Sequence, residues 1–204
     1  NCFREMIKVG VTGGIGSGKS FICQIFEGLG YRVYYADQRA KRLMTENENI
    51  VNGVTDLFGK KAYFEDGQLN RAFIGQIVFQ DSEKLKALNA IVHPETGKDY
   101  LKWVADTPSE YGKTFVLNEA AILYESGAYK RNDAVVTVYA PKHLRLKRVL
   151  ERDQTQREAV LQRMGKQWPE WEKYRRADVA IINDGEHMLL PQIRQAIQRL
   201  SDLS

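Results

Sequence analysis

The sequence predicts an α/β fold built on a parallel sheet, and three patterns support this prediction. Near the N-terminus a β-rich run, a helical run, a second β-rich run and a second helical run alternate, as at the start of a βαβ unit. A glycine cluster separates the first strand from the first helix. Three later β-rich runs lie at 114–118, 134–140 and 178–183. We therefore expect strands at five places, connected mainly by helices.

The first two strands are predicted at 6–12 and 31–36. The helix between them ends at Gly30 and has one apolar face, because its large apolar residues recur at helical spacing. These residues are Ile22, Ile25, Phe26 and Leu29. Cys23, one turn into this helix, is expected to be a small core residue. Asp37 begins the next helical stretch.

The middle of the chain is predicted to be a helical insertion. No strong strand pattern occurs between about 46 and 112, and apolar residues there recur at helical spacing. These residues are Leu85, Leu88, Ile91 and Val92. We interpret 37–113 as an insertion into a core formed by 6–36 and 114–204, with a helical segment rich in Lys and Arg at about 141–176.

Composition excludes several classes of protein. The 204 residues, 43% hydrophobic and 27% charged, are typical of one globular domain or of a core with insertions. A net charge of +4 favours anionic ligands but is too small to indicate nucleic-acid binding. The 2 cysteines indicate no disulfide framework and fit a reducing cytoplasm. No apolar run is long enough for a membrane span, and residues 1–5, before a possible natural start at Met6, are expected to have no function.

Residues 13–20 match the phosphate-binding motif G-x-x-x-x-G-K-[ST] at every fixed position. They are Gly13, Gly14, Ile15, Gly16, Ser17, Gly18, Lys19 and Ser20. Glycines let backbone N–H groups converge on phosphate oxygens, and the following helix adds its N-terminal dipole. Lys19 is predicted to reach the β- and γ-phosphates, and the Ser20 hydroxyl to join the Mg²⁺ shell. The motif therefore predicts binding of a nucleoside triphosphate with Mg²⁺.

Three classes of phosphate-loop protein compete for this sequence. A GTPase should carry an Asn-Lys-x-Asp guanine motif, which is absent. A motor or helicase should have a hydrophobic strand ending in Asp or Asp-Glu, whereas the candidate strand ends Leu-Asn-Glu-Ala at 117–120. A small-molecule or nucleotide kinase needs an acceptor-binding insert, an arginine-rich lid and a carboxylate near the acceptor hydroxyl. All three have candidates, so we favour a kinase.

Asp37 is the candidate carboxylate because it follows the second predicted strand. Ligands of parallel α/β sheets bind outside the carboxyl ends of the strands, so Asp37 should share a crevice with the phosphate loop. There it would accept the proton of the acceptor hydroxyl. The alternative is that Asp37 only caps a helix beginning at Gln38.

Arg148 and Arg152 are the candidate lid arginines, since they lie four residues apart on one helical face. A pair of arginines closing over the transferred phosphoryl group would stabilise the charge on its oxygens. The alternative is a solvated, charge-rich helix.

Taken together, these motifs resemble the dephospho-coenzyme A kinase family along almost the whole chain. The similar segments are the phosphate loop at 11–20, Tyr-Ala-Asp at 35–37, Leu-Asn-Arg at 69–71, Leu-Asn-x-Ile-x-His-Pro at 88–94, Glu-Ala-Ala-Ile-Leu-Tyr-Glu at 119–125, Arg-x-x-x-Arg-Asp at 148–153, Arg-x-x-x-Gln at 163–167 and Ala-Asp-x-x-Ile-x-Asn-x-Gly at 177–185. Two positions depart from the family pattern. Tyr35 stands where the family has Asp, and Ala121 where it has Pro.

The resemblance implies MgATP-dependent phosphorylation of the ribose 3′-hydroxyl of dephospho-coenzyme A, the last step of coenzyme A biosynthesis. It also implies a phosphate-loop fold of three layers, with a five-stranded parallel sheet flanked by helices, a helical acceptor insertion and a helical lid. Arg71, His93 and Glu119 are candidate substrate-binding residues, and Asn183 a candidate contact to adenine or its ribose. Glu119 could also organise Mg²⁺ through water. The alternatives are a surface salt bridge for Arg71, a packed or capping histidine for His93 and a plain turn residue for Asn183. Since His93 precedes Pro94, we expect it at a helix end or turn.

Other functions remain open from the sequence. A different acceptor, such as a nucleoside monophosphate, would keep the same mechanism, whereas a regulatory module would bind ATP without transferring phosphate. We expect small-molecule substrates, ATP and dephospho-coenzyme A, and neither nucleic acid nor a membrane as partner. We also expect a cytoplasmic monomer or small homo-oligomer.

Overall fold

The computed structural model describes residues 6–108 and 113–203, so the expectation for residues 1–5 lies outside the described residues. Its strands are β1 (Ile7–Thr12), β2 (Val33–Tyr35), β3 (Phe115–Glu119), β4 (Ala134–Tyr139) and β5 (Val179–Ile182). Its α-helices are α1 (Lys19–Gly28), α2 (Ala36–Glu46), α3 (Glu48–Phe58), α4 (Arg71–Gln80), α5 (Ser82–Ala105), α6 (Lys142–Asp153), α7 (Arg157–Gly165), α8 (Glu170–Arg176) and α9 (Leu189–Ser201). Short 3₁₀ helices occur at Lys60–Ala62 and Ala128–Arg131.

The strands form one parallel sheet of 5 strands in the order β2-β3-β1-β4-β5. β1 lies at the centre, where Val9 pairs with Leu117 of β3 and with Ala134 of β4. Every residue of β3 is buried, as expected for a parallel sheet covered on both faces. The α/β fold with five parallel strands predicted from the sequence is therefore confirmed.

The chain changes direction across the sheet beside β1. It runs from β1 to β2 and back to β3 on one side, then crosses to β4 on the other side. Such a switch point opens a crevice at the carboxyl ends of the strands. The phosphate loop follows β1 directly, so the topology places residues 13–20 at this crevice.

The contacts divide the chain into two compact units. One unit, the core unit, comprises the described residues up to 35 and from 106 onward. Its main hydrophobic core packs one face of the sheet against α1 and α9 through residues such as Phe26, Leu117, Ile181 and Ile193. Cys23 belongs to this core with 0% exposure, as predicted, and its burial raises the pKa of its thiol.

The other unit, the helical unit, comprises residues 36–105. Its core is built from α2 to α5 and the first 3₁₀ helix. The buried residues are Leu43, Ile50, Val54, Ala62, Ile74 and Val92. The side chains of Asn47 and Asn70 cap α3 and α4 by accepting from the N–H groups of Ile50 (3.1 Å) and Phe73 (3.2 Å). A bidentate pair of Arg39 with Asp99 connects α2 to α5.

In the helical unit one local prediction and one alternative considered for Asp37 are wrong. His93 does not lie at a helix end, because α5 continues through Pro94 to Ala105. A proline removes only the one N–H that would have bonded the carbonyl four residues earlier, and packing of the long helix retains the remaining turns. The next helix after β2 begins at Ala36, so Asp37 lies inside its first turn and is not the cap of a helix starting at Gln38.

Candidate active site

The phosphate loop has its shape because glycine occupies the positions with unusual backbone geometry. Gly16 and Gly18 have φ angles of +81° and +92°, which are unfavourable for other residues. A Cβ atom at Gly16 would collide with the Arg145 carbonyl, and one at Gly18 with the Asn183 side chain. The motif therefore encodes both the turn and the close packing around it.

The N-terminus of α1 opens into a small cavity. Gly18 precedes the helix and has no side chain to cap its first N–H groups. Next to it lies a cavity of about 220 Å³ bordered by Gly16, Lys19, Ser20, Arg148 and Arg152, among others. Free helix N–H groups, one lysine and a pair of arginines facing one cavity are typical of a site for a polyphosphate.

Lys19 and Glu119 form the buried charged pair of this site. Glu119 is the last residue of β3 and is 6% exposed, and Lys19 is 9% exposed. Their Nζ and Oε1 atoms are 3.9 Å apart, too far for a hydrogen bond but close enough for strong attraction. The pairing confirms that Glu119 ends a strand next to the phosphate loop, and it holds Lys19 at the loop.

Asn183, which follows β5, and Arg148 of α6 form a chain of hydrogen bonds to the phosphate loop. The Asn183 amide donates to the Ser17 carbonyl over 2.8 Å, and Arg148 donates to the Asn183 carbonyl over 3.0 Å. Asn183 is 9% exposed, so its side chain supports the loop in this structure. The residue predicted to contact adenine or ribose thus lies at the site and bonds the loop.

Arg152 lies at the exposed edge of the cavity and is held by a neighbouring carboxylate. Its Nε donates to Asp153 over 2.6 Å, and Arg163 donates to the same carboxylate over 2.9 Å. Hydrogen bonds from Arg152 and then Arg163 lower the pKa of Asp153 to about 2. Asp153 therefore stays ionised and orients both guanidinium groups at neutral pH.

The two departures from the family pattern have structural roles. The Tyr35 hydroxyl donates to Glu27 on α1 over 2.8 Å, and burial followed by this bond raises the pKa of Tyr35. The Ala121 carbonyl lies 3.5 Å from the amide nitrogen of Gln167. Both contacts belong to the core unit.

Sequence reasoning missed three residues that pack against the phosphate loop. Arg145, Gln167 and Glu170 all approach Gly14 or Ile15. Arg145 is 7% exposed although it belongs to the Lys- and Arg-rich segment. The only sequence feature that marked any of them was the Arg-x-x-x-Gln pattern, which contains Gln167. Residue spacing alone could not show that Gln167 contacts a loop so far away in the chain.

The remaining predicted site residues belong to the helical unit. Asp37 is exposed in the first turn of α2, directly after β2. Arg71 is the exposed first residue of α4, next to the cap Asn70, and His93 is half-buried within α5. The structure thus gathers Lys19, Ser20, Arg148, Arg152, Asn183 and Glu119 around the loop. It places Asp37, Arg71 and His93 on three different helices of the helical unit.

Comparison with known proteins assigns the family. The family model described as CoaE, dephospho-CoA kinase, matches residues 7–188. The chain belongs to the dephospho-CoA kinase family. A dephospho-CoA kinase of Bacteroides fragilis is 37% identical over 191 residues, covering 94% of this chain and 91% of the relative.

Solved structures agree with this membership of the dephospho-CoA kinase family. A crystal structure from Thermus thermophilus is 34% identical, has a TM-score of 0.81 and aligns over 98% of this chain and 99% of its own. The dephospho-CoA kinase of Campylobacter jejuni is 28% identical, has a TM-score of 0.66 and aligns over 97% and 96%. The family therefore shares the phosphate-loop fold seen here.

Two features are absent from the residues that the structure describes. No group of three or more His, Cys, Asp or Glu side chains within 6–108 and 113–203 could hold a metal ion. Over the same ranges, no helix combines the length and apolar character that crossing a bilayer requires.

Proposed function

We propose that this chain transfers the γ-phosphoryl group of ATP to the ribose 3′-hydroxyl of dephospho-coenzyme A, giving coenzyme A and ADP, the final step of coenzyme A biosynthesis. The observation that carries the proposal is the cavity at the N-terminus of α1, bordered by Lys19, Arg148 and Arg152. It occurs in a chain that belongs to the dephospho-CoA kinase family.

The core unit supplies the donor side. The N–H groups at the start of α1 and the Lys19 ammonium bind the β- and γ-phosphates, where negative charge is highest. Arg148 and Arg152 stabilise the negative charge that spreads over the transferred group. Asn183 holds the loop in register for this binding by its bond to Ser17.

The residues present fit a magnesium ion held mainly by the substrate. Mg²⁺ prefers few protein ligands together with phosphates and water, and no acidic cluster that would form a complete cage lies within the described residues. The Ser20 hydroxyl is exposed in the first turn of α1 beside the cavity and is the protein ligand we assign. When bound, the ion neutralises phosphate charge. Glu119 orients Lys19 through their pairing.

The helical unit supplies the acceptor side of the proposal. Asp37 accepts the proton of the 3′-hydroxyl, for which a solvent-accessible carboxylate is suited. Arg71 binds acceptor phosphates, and His93 contacts the acceptor from α5. Support for this assignment comes from the Tyr-Ala-Asp, Leu-Asn-Arg and His-Pro segments of the sequence.

The deciding experiment measures acceptor-dependent release of ADP with MgATP, comparing dephospho-coenzyme A with a panel of nucleoside monophosphates. We expect release with dephospho-coenzyme A alone and coenzyme A as the product. Turnover only on another acceptor would keep the phosphoryl-transfer mechanism and refute the substrate. Tight ATP binding without ADP release on any acceptor would refute the enzymatic assignment.

A further inference from the structure

Three side chains contact the first half of the phosphate loop, one from α6, one from the connection between α7 and α8, and one from the start of α8. The Ile15 N–H donates to the Gln167 side-chain oxygen over 2.8 Å. The Ile15 carbonyl accepts from the Arg145 guanidinium over 3.4 Å. At Gly14, a Cβ atom would meet the Arg145 guanidinium and the Glu170 carboxylate. These contacts engage residues that precede the N–H groups at the helix start.

The backbone beside Gln167 is anchored independently of the loop. The Trp168 N–H donates to Glu125 over 2.8 Å, and the Lys173 ammonium lies 2.9 Å from the same carboxylate oxygen with its side chain 0% exposed. The Trp168 ring stacks on the Tyr124 ring with centroids 5.7 Å apart, and the Arg176 guanidinium lies over the Trp168 ring, 4.8 Å from its centroid. Since Glu125 and Tyr124 follow β3, this anchor belongs to the sheet side of the core unit.

The orientation of the Gln167 amide is determined by its two neighbours. Its oxygen faces a donor, the Ile15 N–H, and its nitrogen faces an acceptor, the Ala121 carbonyl at 3.5 Å. Rotating the amide by half a turn would oppose like groups at both ends. A neutral amide also adds no negative charge beside a loop that binds phosphate.

We propose that Gln167 is a positioning residue for nucleotide binding: it fixes residues 13–15 so that the N–H groups that follow them face the phosphates. The role deepens the proposed function on its donor side. Without the Gln167 oxygen, the Ile15 N–H loses its partner in a half-buried position, and the loop samples conformations that do not bind phosphate. The hydrogen bond to Glu125 fixes the backbone next to Gln167, so the conformation of the phosphate loop depends on the position of Gln167 and not the reverse.

The main test is Gln167→Met, which keeps the side-chain length and removes the acceptor. We expect the dissociation constant for ATP to rise about threefold to tenfold, which corresponds to the typical free-energy contribution of one hydrogen bond. The KM for dephospho-coenzyme A should change by less than about twofold. Tyr63→Phe is the matched control, because it removes a half-buried side-chain bond to the Met44 carbonyl (2.7 Å) in the helical unit. Its affinity for ATP should equal that of the wild type.

A second variant keeps the proposal falsifiable if Gln167→Met fails to fold. Gln167→Glu retains an acceptor for the Ile15 N–H but adds a negative charge, so ATP binding should weaken most at low salt and recover as salt screens the charge. Wild-type ATP affinity in a folded Gln167→Met protein, or salt-independent wild-type affinity in Gln167→Glu, would overturn the proposal. Because ATP binding is measured without acceptor, failure of the dephospho-coenzyme A assignment would leave this result intact.

Discussion

The phosphate loop and the helical unit differ in how the sequence supplies their proposed functional residues. In the loop, eight consecutive residues from 13 to 20 form the site, and their glycines determine the backbone shape. In the helical unit, Asp37, Arg71 and His93 lie on three helices whose arrangement depends on the packing of the apolar core. The residues of the first proposed site are adjacent in the chain, whereas those of the second would be brought together only by folding.

Burial separates the two regions further. Lys19 and Glu119 are only 9% and 6% exposed, and each offsets the charge of the other. Burying either charge without a partner would cost free energy of folding. Asp37 and Arg71 are exposed and need no partner for stability. We therefore expect substitutions in the core unit to affect both folding and nucleotide binding. Substitutions of Asp37 or Arg71 should affect catalysis or acceptor binding alone.

The largest effect is expected for Lys19→Ala in the core unit. Removing the ammonium takes away the charge proposed to contact the β- and γ-phosphates, so kcat should fall by about 10³-fold or more. Lys8→Ala is the matched control, since Lys8 lies on β1 and pairs with Asp133 at 3.2 Å outside the loop. Turnover assays with both variants decide the matter, and retained transfer in Lys19→Ala would remove this residue from the mechanism.

The next largest effect is expected for Lys173→Met, measured as stability. The substitution leaves the mostly buried Glu125 carboxylate without its counter-charge, which costs about 3 kcal/mol in the free energy of unfolding. Adding Glu125→Gln to the same protein should restore part of this loss, since no unpaired charge then remains. Chemical denaturation of both single variants and the double variant tests the coupling. Simple additivity of the two losses would show that the pair is not coupled.

The prediction for the helical unit is that Asp37→Asn lowers kcat by about 10²-fold, the typical contribution of a positioned general base. ATP affinity and the free energy of unfolding should stay near the wild-type values, because Asp37 is exposed. Asp56→Asn, an exposed aspartate of α3, is the control. Normal turnover in Asp37→Asn would leave the acceptor side without a base and would weaken the contrast between the two units.

The same contrast explains how much could be predicted from the sequence. The five strands, the loop and the position of Glu119 at the end of β3 follow from short-range patterns, and the structure confirms them. The contact between Ile15 and Gln167 joins residues 152 positions apart, and nothing in either local pattern encodes it. Pro94 shows the reverse error. The preference of residues before proline for extended backbone predicted a helix end at His93. The helix α5 nevertheless continues, because the packing of its many turns stabilises it by more than the one lost hydrogen bond costs.

The smallest predicted effect concerns Asp153, whose pairing orders the edge of the nucleotide cavity. Since Arg152 and Arg163 lower its pKa to about 2, the ionised carboxylate stabilises the folded state above about pH 4, and this contribution is lost as the pH falls toward 2. Both arginines are more than half exposed, at 62% and 53%, so solvent screening limits the gain to less than about 1 kcal/mol.

Asp153→Asn should therefore lower the free energy of unfolding slightly at pH 7, with the difference from the wild type shrinking between pH 4 and 2. Denaturant titrations of both proteins across this range measure it, and a constant difference at every pH would show that charge is not the cause. The variant also frees Arg152 from its fixed carboxylate at the cavity edge. If that orientation serves phosphoryl transfer, kcat should fall by more than the small loss of stability can explain, because an arginine that must first be ordered contributes less to the transition state.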